Sequence, residues 1–506
     1  MIQARTAVNE IIGIQNRPAF YDAGFGPFVR QPSGSVFSPA SLFAAGEQGV
    51  WYDPSDFTTM FQDSTGTTPV TAVEQPVGLL LDKSQGLVLG SELLTNGDFA
   101  SGTGWIRGAN TTISGGSANI SGGSGFVLYQ IVVSGVSVGN LYEVTFTVSN
   151  YVSGSIRAYL GASAAFGPTV SANGTYTARF GPISGAEFGF NSASAFTGSI
   201  DNVSVKKVAG NHATQATSAN RPVLSARVNL LLATATLATQ SVTTLATTYT
   251  LAFSGAGTVV TTGTNIGVYT AGINTLTCTA GTLTLTVTGS VTSADLRSTT
   301  DGVGLPAYQR VTTSTDYDTT GFPLYLAFNG TNSNMVTGTI TPGINKAQVF
   351  VGIRKFSGVI QIPYEFSASV NNNAGSLASY TSFNGANGAD GPYWATFSKG
   401  TVAVAVAATS PASFPAPISA VQTSLHDISG SFLTLRINNT QVATSTTTQG
   451  TGNFLAYPFY IGARAAASFY FSGRIYSFIA RFGANLDATT VTNAETWVNG
   501  KTKAYA

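Results

Sequence analysis

Alternation of apolar and polar residues is the feature that most constrains how this chain folds. In the stretch YEVTFTVSN the residues of one parity are apolar, namely Tyr142, Val144, Phe146 and Val148. A period of two is typical of a half-buried antiparallel strand. Comparable stretches follow one another every ten residues or so between residues 92 and 208, separated by Gly and Ser turns, and further strands follow downstream. The pattern predicts an all-β fold of tandem antiparallel β-sandwiches, or jelly rolls.

The composition supports a folded chain without the charge patterns of a nucleic-acid-binding protein. Charged residues make up 9% of the sequence, yet 43% of the residues are hydrophobic and 11% are aromatic. Disordered chains lack such aromatic and β-branched residues. Lys and Arg are scattered, with no basic run longer than two residues, so no nucleic-acid footprint is expected. No apolar run is long enough for a membrane-spanning helix, and the N-terminus has no secretory signal pattern, so no membrane insertion is expected.

The first 45 residues differ from the rest because prolines alternate with aromatic residues. Two interpretations remain open for this segment. It is either a flexible tail or an extended anchoring arm that lays its aromatic side chains on another protein. The candidate anchor residues are Phe20, Tyr21, Phe25 and Phe28.

Shifts in composition predict six successive segments. These are an extended arm (1–45), a connecting module (46–90), a jelly roll (91–208), a linker (209–227), a small β-sandwich (228–315) and a larger β-sandwich (316–506). In the last segment, Asn438 and Asn439 predict a tight hairpin turn because Asn tolerates positive φ. The stretch DATTVTNAETWVNGKT predicts a short C-terminal helix, with a capping box at Thr492 and Glu495 and a stop at Gly500.

Two short motifs bracket the predicted jelly roll. NGDFASGTGW (96–105) and SIDNVSV (199–205) resemble the first and last strands of carbohydrate-binding-module-like jelly rolls. The resemblance implies a structural calcium held by Asp98 and Asp201. Ala100 and Asn202 stand where that family often has acidic residues, and calcium prefers six to eight oxygen ligands. The alternative is that the two aspartates tie the first and last strands together without a metal.

Later blocks carry further resemblances. FPLYLAFNGTNSNMVTG (322–338) and FYFSGRIYSFIARFG (469–483) resemble strands of concanavalin-A/laminin-G-like sandwiches, and the middle block resembles a spike-fibre domain. The order of the blocks from residue 46 to 506 resembles tailed-bacteriophage fibre or spike proteins. That resemblance implies a location in the virion, attachment to other virion proteins through residues 1–45, and a homotrimer.

Catalytic motifs are missing from the sequence. His212 lies in the predicted linker, where we expect it to be solvated. His426 is followed by Asp427 in the sequence, and this adjacency alone does not indicate a catalytic site. No nucleophile elbow, zinc-type spacing or phosphate-binding loop is present, and Cys278 occupies an alternating position that predicts a buried, inert thiol. We therefore expect a non-enzymatic protein without a cofactor. A glycan depolymerase remains the alternative, because its pair of carboxylates needs no local motif.

Binding of a host-surface polysaccharide requires less, namely an aromatic platform with amide or hydroxyl donors. The candidate residues are Tyr151 and Tyr159 in the jelly roll, and Tyr393 and Trp394 in the stretch NGANGADGPYWATF. We expect Trp394 to be exposed in a Gly/Asn-rich loop, and Trp105 to lie in the core. For each tyrosine the competing interpretation is ordinary packing. A third possibility is a purely structural decoration protein of a capsid or tail.

Overall fold

A computed structural model describes residues 37–506, apart from 133–135, 138–139, 162–164, 183–184, 384–389 and 410–412. The chain is 51% strand and 6% helix, with several antiparallel sheets and one α-helix near the C-terminus of the described part. The expected all-β class is therefore confirmed. Phe20, Tyr21, Phe25 and Phe28, the predicted anchor residues, lie outside the described residues.

The first described segment contributes short strands. A 3₁₀ turn covers Pro39–Phe43 and is capped by Ser38, and another covers Phe57–Thr59. The strands are β1 (Gln48–Tyr52), β2 (Met60–Phe61) and β3 (Leu79–Leu80).

Eight strands then form a sheet of their own. They are β4 (Leu89–Glu92), β5 (Ile106–Arg107), β6 (Thr111–Ser114), β7 (Ser117–Ile131), β8 (Leu141–Leu160), β9 (Ala165–Phe166), β10 (Gly174–Phe180) and β11 (Glu187–Val208). The order is β10-β8-β11-β7-β5, with β4 on β11, β6 on β7 and β9 on β8. Register shifts interrupt the pairing of β11 with β7 and β8, and the sheet encloses an aromatic core. The apolar parity predicted for β8 is confirmed: Tyr142, Val144, Phe146 and Val148 are all buried.

Two short strands follow, and after them comes a segment of five strands. We call this segment the second insertion, because it and the jelly roll before it both interrupt the central sandwich described below. The short strands are β12 (Ala213–Thr214) and β13 (Val223–Ser225), with a 3₁₀ turn at Ser218–Asn220 between them. The insertion contains β14 (Gln240–Thr244), β15 (Thr247–Gly263), β16 (Gly267–Cys278), β17 (Gly281–Thr288) and β18 (Thr292–Ser298). Its sheet has the order β14-β17-β15-β16, with β18 paired to β15.

The remaining strands complete a large central sandwich. They are β19 (Tyr325–Asn329), β20 (Met335–Thr337), β21 (Lys346–Lys355), β22 (Gln361–Phe366), β23 (Ser376–Phe383), β24 (Asp390–Lys399), β25 (Val404–Ala408), β26 (Ile418–Asp427), β27 (Phe432–Ile437), β28 (Thr440–Ser445), β29 (Phe459–Ile461) and β30 (Ser472–Phe482). One sheet has the order β13-β19-β30-β21-β26-β27-β28, with β1 also on β30. The other has the order β2-β3-β12-β20-β29-β22-β23-β24-β25.

The central sandwich corrects two sequence assignments. The predicted connecting module supplies β1, β2 and β3, and the predicted linker supplies β12 and β13, to the same two sheets as the C-terminal residues. Trp51, for example, lies opposite Ile479, and Ala213 lies between Leu80 and Thr337. Strands β2, β3, β12 and β13 have two or three residues, too few to produce a period-two signal. Strand β1 has five residues, but four of them in a row are buried, so it shows no alternation either.

Two local predictions have different outcomes. The Asn438–Asn439 turn is confirmed, because both residues have positive φ (50° and 63°) and Ile437 pairs with Thr440 across it. The C-terminal helix, α1 (Ala488–Thr502), is also present, but its caps differ from the prediction.

The helix covers the predicted stretch, but its N-cap lies before the predicted capping box. Asp487 is the N-cap, and its carboxylate accepts a hydrogen bond from the Thr490 backbone amide at 2.9 Å. Glu495 is instead paired with Arg436 at 2.7 Å, and the helix continues past Gly500 to the left-handed Lys503. None of the helices in the described part of the chain has both the length and the apolar character needed to span a bilayer.

Candidate functional site

The jelly roll carries an aromatic surface on the side of its sheet away from its core, which we call the outer face. Strand pairing places one row of residues across it, in which Tyr129 and Tyr159 both lie opposite Gly189. The row extends to Ile106 on one side and to Phe166 on the other. Neighbouring rows add further side chains, namely Phe126, Ile131, Arg157, Glu187 and Asn191.

Glycine is required at the middle of this row. A Cβ atom at Gly189 would lie 2.6 Å from Tyr129 Cβ and 2.7 Å from Tyr159 Cε1, closer than real contacts allow. The missing side chain lets the two tyrosines approach each other over the sheet. The side chains of Tyr129 and Tyr159 therefore cover the centre of the outer face.

Phe126 is more exposed than the other aromatic residues named on this face, of which Tyr129 and Phe166 are partly buried. Its side chain is 49% exposed, and its ring meets that of Tyr159 edge to face at 4.9 Å. Tyr159 itself is only 1% exposed, because Phe126 and Phe166 lie against it. Ile131 and Ile106 are also exposed and extend the apolar surface.

Polar groups flank the aromatic rings. The Arg157 guanidinium lies 3.4 Å from the centroid of the Phe166 ring, and its Nε donates a hydrogen bond to Asn191 Oδ1 at 3.2 Å. Burial, and after it the Glu187 carboxylate, raises the pKa of the Tyr159 hydroxyl above its ordinary value. A cation, an anion and an amide therefore surround an apolar platform, an arrangement that suits ligands with both C–H and hydroxyl faces.

The two jelly-roll tyrosines predicted from the sequence have different positions. Tyr159 belongs to the outer face, although beneath Phe126 rather than at its surface. Tyr151 does not join it: its ring packs against Phe196 of the jelly-roll core, and its hydroxyl donates to the Gly154 carbonyl at 3.0 Å. The sequence did not predict that Phe126 faces outward. Alternation along a strand indicates which side chains face outward, and the register shifts between β7 and β11 interrupt that alternation.

The expectation of an exposed Trp394 is wrong. Strand β24 begins inside the predicted loop, and Trp394 is 0% exposed, with its Nε1 donating to the Phe414 carbonyl at 3.1 Å. Tyr393 lies partly buried against a cluster that includes Tyr380 and Phe397. Neither residue forms a platform. Trp105 is in the core, as predicted.

Asp98 and Asp201 do not form a calcium site. Each accepts a hydrogen bond from its own turn, Asp98 from the Ala100 amide at 3.2 Å and Asp201 from the Asn202 amide at 2.6 Å. The described residues contain no group of three or more acidic, His or Cys side chains able to hold a metal. This donor set does not fit an ion that needs six to eight oxygens.

The two aspartates also do not tie the ends of the jelly roll together. The tie is made by Glu92, which accepts hydrogen bonds from Ser204 Oγ at 2.6 Å and from the Val205 amide at 2.8 Å. The Val203 amide adds a bond to the Gly97 carbonyl at 2.8 Å. Asp98 and Asp201 stabilise their local turns instead.

Both histidines are buried, so the expectation of a solvated His212 is wrong. His212 Nδ1 accepts a hydrogen bond from the Asp82 amide at 3.0 Å, and burial lowers its pKa to about 4. Burial lowers the pKa of His426 to about 3, and its Nε2 lies 2.8 Å from Ser424 Oγ. Cys278 is buried, as predicted.

No protein-family model matches the chain, and no curated protein is significantly similar to it. Solved structures with local likeness include the CBM40 domain of a Ruminococcus gnavus IT-sialidase bound to α2,3-sialyllactose, at 12% identity and a TM-score of 0.23, covering 30% of this chain and 82% of that one. Another is domain 4 of AbnA, an extracellular arabinanase from Geobacillus stearothermophilus, in complex with arabinotriose. It has 13% identity and a TM-score of 0.23, and the match covers 34% of this chain and 76% of that one. A third is the binding domain of botulinum neurotoxin DC in complex with SialylT. It has 12% identity and a TM-score of 0.25, and the match covers 36% of this chain and 43% of that one.

Proposed function

We propose that this chain is a non-enzymatic structural protein of a bacteriophage virion, of the tail- or head-fibre or spike type, assembled in the host cytoplasm. We further propose that its jelly roll binds host-surface glycans. The virion part is supported by the order of sequence blocks. The glycan part is carried by one observation: the outer face presents an exposed Phe126 over Tyr159 beside Arg157, Glu187 and Asn191.

The chemistry of the outer face suits a sugar. The C–H face of a pyranose stacks on the Phe126 ring. Ile131 lies beyond the Tyr129 row, opposite Glu187, where it offers further apolar surface to a longer glycan. Hydroxyl groups at the ring edge donate to the Glu187 carboxylate and accept from the Arg157 guanidinium. These contacts bind and orient a glycan, and none of them requires bond cleavage.

Residues 1–45 are the proposed attachment segment, and the chain is proposed to be a homotrimer. Self-association is supported by the second insertion, since residues 228–294 contain no Asp, Glu, Lys, Arg or His. Like charges on identical copies repel each other, and an uncharged surface avoids that cost. Strand β16 within this insertion exposes Ile273 and Val268 to solvent.

One experiment on assembled particles tests these assignments. Phe126→Ala should be incorporated normally but lower adsorption to host cells roughly 2- to 10-fold, the value of one aromatic stacking contact. Val152→Ala is the matched control, because Val152 is an exposed apolar residue of the same jelly roll that does not belong to the rows of Phe126, Tyr129 and Tyr159. Deletion of residues 1–37, which keeps the buried Leu42 and Phe43 of the folded part, should leave a soluble protein that is no longer incorporated.

Three outcomes would contradict the proposal. Equal adsorption by Phe126→Ala and the parent would favour a purely structural decoration protein. Normal incorporation of the truncated chain would exclude residues 1–37, which contain all four proposed anchor residues, as the attachment segment. Release of reducing ends from host polysaccharide by the parent chain would favour the depolymerase alternative.

A further inference from the structure

A second cleft, separate from the outer face, lies where the second insertion meets the central sandwich. Its volume is about 390 Å³, within the range of small-molecule sites, which is about 300–1,000 Å³. The central sandwich contributes Glu74, Arg227 and Tyr325 to its lining, and strand β14 of the insertion contributes Val242. The cleft is therefore built from elements that are distant in sequence.

Glu74 is held in this cleft with one carboxylate oxygen committed and the other free. Its Oε1 accepts hydrogen bonds from Ser225 Oγ and Tyr317 Oη, each at 2.5 Å. Among the described residues, Oε2 has no hydrogen-bond donor, and no cation lies within 4.0 Å of the carboxylate. Glu74 also has a φ of 62°, a left-handed conformation that costs free energy in a residue other than glycine and that recurs at functional sites.

Arg227 is fixed in a complementary way. Its Nε donates to the Asn229 carbonyl at 2.8 Å, and its Nη2 donates to the Leu230 carbonyl at 2.7 Å. Its own carbonyl accepts from Tyr325 Oη at 2.6 Å and from Arg474 Nη2 at 3.1 Å. Within the described part of the chain, Arg227 Nη1 has no acceptor and the guanidinium has no ion-pair partner. Burial lowers the pKa of Arg227, and the attraction of the Glu74 carboxylate offsets part of that effect. The cleft thus contains one charged acceptor and one charged donor, which are held in place and attract each other without an ion-pair contact.

The rest of the lining is apolar or neutral. Leu230, Leu232 and Val242 provide a C–H surface, and the hydroxyl groups of Ser241 and Thr243 lie beside it. The formal charges of Glu74 and Arg227 cancel, and the Arg474 guanidinium, also in the lining, is paired with Asp301 at 2.8 Å. A ligand here needs an apolar face together with groups that both donate and accept hydrogen bonds.

We propose that this cleft is a binding site for a single neutral pyranose-sized sugar unit. One hydroxyl donates to Glu74 Oε2, a neighbouring hydroxyl oxygen accepts from Arg227 Nη1, and the ring C–H groups contact Leu232 and Val242. This site uses none of the residues of the outer face. Binding here would also join the second insertion to the central sandwich through the ligand.

Saturation-transfer NMR on the full chain tests the site with three probes at millimolar concentration: glucose, galactose and N-acetylglucosamine. At least one of them should receive saturation from the parent chain. Glu74→Gln replaces the free acceptor with an amide donor and should raise the dissociation constant at least about tenfold, as expected for loss of a hydrogen bond to a charged group. Asp316→Asn removes the same charge from an exposed surface pair and should leave binding unchanged.

A bulky substitution separates binding from folding. In the Phe126→Ala background, which removes the proposed outer-face contact, Leu232→Trp fills the cleft at a partly exposed position and should abolish the remaining signal. Leu455→Trp, at an exposed leucine outside the cleft, should not. Absence of saturation transfer to all three sugars, or equal transfer with and without Leu232→Trp in that background, would overturn the proposal. Loss of the signal in Phe126→Ala would assign the binding to the outer face instead, so the two sites fail independently.

Discussion

At the scale of single residues, Lys355 is an unfavourably buried charge in the central sandwich. It is 1% exposed, and its amine lies 4.8 Å from the centroid of the buried Trp394 ring. Burial lowers its pKa to about 7. A cation–π contact offsets part of the desolvation cost of the ammonium group but does not replace water.

The pKa of Lys355 predicts how stability depends on pH. The unfolded chain binds this proton up to the ordinary lysine pKa of 10.5, whereas the folded chain releases it near pH 7. The free energy of unfolding should therefore rise with pH between about 7 and 10, with the full penalty present below pH 7. Lys355→Met should stabilise the chain by on the order of 2–4 kcal/mol at pH 6.5, and by much less at pH 10.

Urea unfolding at the two pH values checks this prediction. Lys399→Met is the control, because Lys399 is less buried and its amine donates a hydrogen bond to the Asn371 carbonyl. A gain for Lys355→Met that is the same at both pH values would contradict it, since the stabilisation would then come from packing rather than from the charge.

At the scale of secondary-structure elements, strand β16 is an unprotected sheet edge. Among the described strands it pairs only with β15, and it carries no charge or proline that would discourage a further strand from joining it. Ile273 is 83% exposed, and Ile266, just before the strand, is 84% exposed. An edge of this kind favours association with another copy of the chain.

Ile273→Lys tests whether β16 supports the proposed homotrimer. The charge should convert the parent oligomer to monomer at micromolar concentration, as measured by light scattering after size exclusion, while the melting temperature of the insertion stays unchanged. Val359→Lys, at an exposed valine of the central sandwich, is the matched control and should remain oligomeric. A monomeric parent, or an oligomeric Ile273→Lys, would count against this surface.

At the scale of the whole molecule, the two insertions interrupt the central sandwich rather than follow it. Its core includes Val50, Tyr52 and Met60 from the first segment, and Ala213 and Leu224 from the short strands between the insertions. Burial of a large apolar side chain contributes about 1.5–3 kcal/mol, so this set is comparable to the whole stability of a domain, about 5–15 kcal/mol.

This arrangement predicts which fragments fold. Residues 91–208, which have their own core, should unfold cooperatively when expressed alone. Residues 316–506 alone should not, because β1, β2, β3, β12 and β13 are missing from both sheets. Thermal unfolding followed by circular dichroism decides the matter. Cooperative unfolding of 316–506 near the melting temperature of the parent chain would show that the early strands add little.

How much was predictable from the sequence depends on how local each feature is. The turn at Asn438–Asn439 and the alternating burial of Tyr142 to Val148 depend on neighbouring residues and were predicted correctly. The burial of His212 was not, because its partner Asp82 is far away in sequence. In the candidate site, Tyr159 was predicted from the sequence. The contact of Phe126 with Tyr159 was not, because it depends on the register and the irregular pairing of the strands.

The sequence by itself determined that this protein is built of antiparallel strands, where its tight turn and helix lie, and that residues 228–294 carry no charged side chain. Those properties follow from side-chain periodicity and local backbone preference. Only the tertiary structure decided that the early strands complete the C-terminal sandwich, that Glu92 rather than Asp98 ties the jelly roll, and that Glu74 and Arg227 share a cleft. Backbone hydrogen bonds between strands are the same for every residue type, so the choice of partner is made by packing across the whole core.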